Sequence, residues 1–149
     1  MGYTHYWGGH QGLTWSGHQG LTGLDTQTLN AIKAIALDYD LCYEDDKPYE
    51  KPEISRDHIR FNGRNEAGFE TFYFDLTGGF CKTGRRDYDT PVCLILMAIK
   101  HCLRNNIKTT SDGNDKDWTS SFDVIGSYIP DALFQIKERE LIVTTKNNA

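Results

Sequence analysis

The segment TPVCLILMAIKHCLRN, residues 90–105, is apolar almost all round from Val92 to Ile99. A helix with no polar stripe must be surrounded by other elements, so this segment is read as the buried central helix. Thr90 is a suitable N-cap and Pro91 a suitable first helical residue, which places the helix start there. Immediately upstream, FCKTGRRDYD brings Lys82, Arg85 and Arg86 against that start. A helix N-terminus carries partial positive charge and unpaired N–H groups, so these cations need a negative neighbour or a negative ligand.

Upstream of the helix, DHIRFNG and GFETFYFDL flank the polar RNEA and give a hairpin pattern. Alternation puts Ile59 and Phe61 on one face of the first strand and Phe72 with Phe74 on the core face of the second, which turns Glu70 inward near the end of that face. YTHYW, residues 3–7, suits a short strand with Tyr3 and His5 on one face and Thr4 and Tyr6 on the other. From Asp25 or Thr26, the spacing of Leu29, Ile32, Ile35, Ala36 and Tyr39 predicts a helix over about 26–41.

After the central helix, IKTTSDG reads as a strand ending in a turn, and KDWTSSFDVIGSYIPDALFQI as a helical or irregular cover broken at Gly126 and Pro130. ELIVTT is read as an edge strand. The expected class is α+β: an antiparallel sheet with two helices in β-α-β-β-α-β order, as in ferredoxin-like folds, plus C-terminal additions.

The chain has 149 residues, which suits one domain spanning 1–149. Gly-His-Gln-Gly-Leu-Thr occurs at 9–14 and again at 17–22, making 8–23 a Gly/His-rich loop, and a polar tail begins near 144. Net charge of −5 and a pI near 5.5 argue against duplex nucleic acid, so an anionic partner must be caught locally. Cys42, Cys81, Cys93 and Cys102 form no CxxC pair, as expected of reduced thiols in a cytoplasm. The start has no basic or apolar leader pattern, and the Val92–Ile99 run is far short of a membrane span, so no membrane partner is expected.

Lys82, Thr83, Gly84, Arg85 and Arg86 form a donor-rich loop in which a phosphate would meet arginine forks and a helix N-terminus. The competing reading pairs those cations with Glu70, Asp87 and Asp89 on a solvated face. CKTG lacks the upstream glycine of a P-loop. Tyr88 and Tyr73 are candidates to stack a base. His10 and His18 with His5 lack metal-ligand spacing, SDGNDKD lacks the distal glutamate of a calcium loop, and no nucleophile elbow occurs. No metal and no cofactor are expected on these grounds.

GYTHYW, IRFNG, GFETFYF, FCKTGRRDYD and TSDG followed by Trp118 together resemble a family of small proteins that recur in bacteriophage and prokaryotic genomes. The resemblance covers most of the chain. It departs at 8–23, which looks like an expansion, and at Phe69, where members often carry histidine. It implies a phage-type context and supplies no mechanism. His5, Tyr6, Glu70, Lys82, Thr83, Arg86, Tyr88, Asp89, Asp112 and Trp118 match the shared words with polar or aromatic groups.

With Arg85, these residues are the expected ligand-binding set for a small anionic, nucleotide-like ligand. The expected function is non-enzymatic binding of that ligand, in a phage context as a sponge for a host immune signalling nucleotide. The alternatives are a metal-dependent nucleotide phosphodiesterase using Glu70, Asp89 or Asp112, and an inhibitor that docks on another protein. A homo-oligomer suits all three.

Overall fold

The computed structural model describes residues 3–8, 23–44, 46–75, 78–113 and 116–145. The duplicated Gly-His-Gln segment with His10 and His18, and most of the polar tail, lie outside the described residues.

The elements in chain order are β1 (Thr4–Gly8), α1 (Thr26–Asp38), β2 (Glu53–Ile54), β3 (Ile59–Phe61), β4 (Phe72–Phe74), β5 (Gly79–Lys82), α2 (Asp89–Leu103), β6 (Lys108–Ser111), α3 (Lys116–Ile125), β7 (Ala132–Lys137) and β8 (Glu140–Thr145). The class is α+β with antiparallel sheets, as expected. The β-α-β-β-α-β series is present, with β2 and β5 added to it.

The strands divide into two sheets. One has the order β5-β1-β6-β8-β7 and the other the order β2-β3-β4. The β3–β4 hairpin pairs Ile59 with Phe74 and Phe61 with Phe72, so it forms as the sequence suggested, but in the small sheet. The place beside β1 is taken by β5, whose Cys81 opposes His5 and whose Lys82 opposes Thr4. The four residues of β5 are too few to show a two-residue period against the loop around them. β8 is not an edge strand: it lies between β6 and β7, and β7 takes the edge.

Helix α2 packs against α1, α3, β6 and β8, and every residue from Pro91 to Lys100 is buried. The all-apolar pattern is therefore that of the central helix. Its start differs from expectation: the helix begins at Asp89, so Thr90 and Pro91 lie inside the first turn and Thr90 is not the cap. The Asp89 N–H donates to Arg86 O (2.8 Å), which curls residues 86–89 into the helix, and a carboxylate in the first turn suits the positive dipole end.

Helix α1 is capped by Asp25, whose Oδ1 accepts the Thr28 N–H at 2.8 Å. It stops at Asp38, short of Leu41, because Asp40 turns left-handed (φ 52°). The N–H groups of Asp40 and Leu41 then close on Leu37 O and Ala36 O, a Schellman ending.

The two sheets meet where Trp7 of β1 packs on Phe72 of β4, ring centres 4.9 Å apart, and Phe72 in turn stacks on Phe61 at 4.7 Å. β1 has the expected faces, with Tyr3, His5 and Trp7 buried and Tyr6 exposed. Glu70 does not turn inward. β4 starts only at Phe72, and the preceding residues are held by Asn62 outside the strand alternation, which leaves Glu70 exposed.

Candidate functional site

The C-terminal ends of β5 and β6, the N-terminus of α2 and the loop before β4 converge at one end of the large sheet. Most of the expected ligand set gathers there, in an inner and an outer layer. The inner layer is centred on His5, whose place on the inward face of β1 leaves it no exposure. Its Nδ1 lies 2.5 Å from Ser111 Oγ and its Nε2 lies 2.7 Å from Asp89 Oδ1. Thr83, also buried, donates its hydroxyl to the same Asp89 oxygen at 2.6 Å.

Cys93 lies one helical turn beyond Asp89, so its Sγ falls 3.7 Å from His5 Nε2 and 3.7 Å from Asp89 Oδ2. Tyr3 and Trp118 enclose the imidazole edge-on, with ring centres 4.9 and 5.4 Å away. Trp118 is thus a wall of the site, brought in by α3.

Tyr88 is buried, and its hydroxyl donates to Glu70 O at 2.6 Å with Lys82 O at 3.2 Å. It ties the loop before β4 to the end of β5, and its ring has no open face on which a base could stack. Burial pushes its phenol well above the usual range and pushes the neighbouring Cys81 thiol up to about 12, so both stay protonated. Tyr73, the other stacking candidate, sits on β4 with the Arg60 guanidinium 6.0 Å from its ring centre.

The outer layer holds the cations. Lys82 Nζ stands 5.7 Å and the Arg86 guanidinium 5.3 Å from the centre of the Phe69 ring, which is 43% exposed. Arg86 also donates to Glu66 O at 3.2 Å. The Arg85 guanidinium lies 4.2 Å from the centre of Tyr3. These contacts are cation–π interactions, in which the face of the ring supplies the negative potential that the helix end does not.

Two of the three candidate carboxylates take other partners. Asp89 turns inward to His5 and Thr83, and Glu70 Oε1 accepts the Lys82 backbone N–H at 2.8 Å. The sharp bend that presents the cations has Gly84 and Arg85 both left-handed, at φ 59° and 58°. Gly84 packs near the Phe69 ring, so the exposed aromatic lies against the turn that carries the arginines.

On the outer sheet face, Tyr6 reaches Asp112 Oδ2 with its hydroxyl at 3.4 Å and lies 6.5 Å from the Phe80 ring. The Asp112 N–H donates to Thr4 O, fixing the turn after β6 beside β1.

Sequence reasoning did not single out Ser111, Cys93 or Phe69 for the site. The four-residue spacing of Asp89 and Cys93 was a visible signal once both were helical. Ser111 carried no signal, because its place opposite His5 depends on the β1–β6 register. Among the described residues, no helix is long and apolar enough to cross a membrane. No family model matches the chain, and neither a curated protein nor a solved structure shows significant similarity to it.

Proposed function

We propose that this protein binds a small phosphorylated, nucleotide-like ligand at the surface formed by Phe69, Lys82, Arg85 and Arg86. The observation that carries this reading is the exposed Phe69 ring with Lys82 and Arg86 both within 6 Å of its centre. A ring already attractive to cations is also a platform for a base, and stacking of one base contributes about 1–3 kcal/mol. The cations would then move from the ring to phosphate oxygens, where an arginine fork makes two parallel, charge-assisted hydrogen bonds. The acidic protein as a whole repels long polyanions, which favours a small ligand held by local charge.

The mode proposed is retention without turnover, as in a sponge that sequesters a signalling nucleotide. Calorimetry against cyclic dinucleotides and ADP-ribose-type nucleotides tests it. Saturable binding is expected to weaken at least tenfold in Arg86→Ala and in Phe69→Ala. Ligand recovered after denaturing the complex is expected to be intact. Absence of binding to every nucleotide tried would overturn the reading, and recovery of cleaved ligand would replace it with a hydrolase.

A further inference from the structure

We propose that His5, Asp89 and Cys93 form a binding site for a divalent transition-metal ion of the zinc class, with one coordination position left open. The three side chains come from β1 and the first two turns of α2, and their ligand atoms all lie within 4.8 Å of one another. A tetrahedral ion with bonds of about 2.0 Å to nitrogen and oxygen and about 2.3 Å to sulfur needs its sulfur about 3.5 Å from the other two ligands. Cys93 Sγ stands 3.7 Å from His5 Nε2 and 3.7 Å from Asp89 Oδ2, so both sulfur edges are within a few tenths of an ångström of that geometry.

The surrounding hydrogen bonds are those that metal ligands require. Ser111 Oγ, 2.5 Å from His5 Nδ1, accepts a proton placed there, which leaves Nε2 as the coordinating lone pair. Thr83 holds Asp89 Oδ1 at 2.6 Å, so Oδ2, the oxygen facing Cys93, is the one to bind the ion. The His5 Nε2 contact to Asp89 Oδ1 is the hydrogen bond that the ion would replace.

Proton and charge balance agree. On binding, the imidazole proton resides on Nδ1, and the Cys93 thiol releases its proton to solvent. A divalent cation with one carboxylate and one thiolate is then neutral, which a buried site favours. Histidine, carboxylate and thiolate together select a borderline-soft ion over magnesium or calcium. Three protein ligands among the described residues leave a fourth position. It opens on the Asp89 side, whose side chain is 17% exposed where His5 is sealed.

Titration of the reduced, chelator-stripped full chain with Co²⁺ tests the site. One equivalent is expected to give the strong visible bands of tetrahedral cobalt and a near-ultraviolet thiolate-to-metal band, both abolished by Zn²⁺. Cys93→Ser is expected to remove the thiolate band and Cys102→Ser to retain it. Ser111→Ala is expected to weaken binding about 10–100-fold with the bands preserved. Failure of the folded wild type to bind one equivalent would overturn the site without reference to any variant. So would a thiolate band that survives Cys93→Ser. The readout is independent of nucleotide binding, so this site and the nucleotide surface stand or fall separately.

Discussion

The Asn62 side chain bonds both sides of the Phe69 backbone: Oδ1 accepts the Phe69 N–H at 3.2 Å and Nδ2 donates to the Phe69 carbonyl at 3.0 Å. Oδ1 also accepts the Gly63 N–H at 2.8 Å, and Nδ2 reaches Thr71 Oγ1 at 3.2 Å. One buried amide therefore shapes the loop that presents the exposed aromatic ring.

Asn62→Ala is expected to destabilise the protein by about 1–3 kcal/mol, because backbone groups of the loop lose a buried partner. Amide hydrogen exchange should accelerate at Phe69 more than in α2. Unchanged protection at Phe69 would refute the assignment of loop order to Asn62.

Lys100 ends α2 from within. Its buried ammonium donates to Arg104 O at 2.9 Å and Ile107 O at 2.6 Å, and burial holds its pKa below the usual lysine value, opposed by the charge of Glu140. Lys100→Met preserves the stem and removes the donor. A loss of about 1–3 kcal/mol by denaturant unfolding is expected, since two carbonyls lose the ammonium donor.

His101, half-buried near the same helix end, has its pKa lowered by burial and by the charge of Arg104, with Asp25 and Asp131 pulling the other way. A histidine depressed in the folded state contributes stability that is present above its unfolded pKa of about 6.5 and is lost as pH falls from there through the folded value. His101→Gln should flatten the fall of Tm between neutral and mildly acidic pH. An equal fall in both proteins would count against this contribution.

Phe72 lies at the junction of the sheets, fully buried against Trp7 and Phe61. Phe72→Ala is expected to cost about 3–5 kcal/mol in chemical denaturation, as a cavity between two sheets collapses poorly. Tyr73→Ala, one residue on and exposed, should cost far less.

Several features were legible in the residues alone because they depend on local period. Residues 92–99 are apolar on every side and become the core of α2. Alternation in YTHYW put Tyr3 and His5 on one face, which is the buried one, and alternation in β3 and β4 put Ile59 with Phe61 on one face and Phe72 with Phe74 in the core; all four are buried. Helical and strand periods are properties of the backbone, so a short stretch reports them without its neighbours.

Other features were settled only when the chain closed on itself. The four residues of β5 gain strand geometry from pairing with β1, and β8 becomes an inner strand because β7 folds back across it. Lys82 and Arg86 of the loop before α2 lie near the Phe69 ring, and Asp89, which charge counting offered as a counter-ion, is drawn inward to His5. His5 meets Ser111 across 106 positions and Asp89 across 84. Such meetings are set by strand register and helix placement, and a one-residue slip in β1 would turn His5 to solvent and dissolve the site.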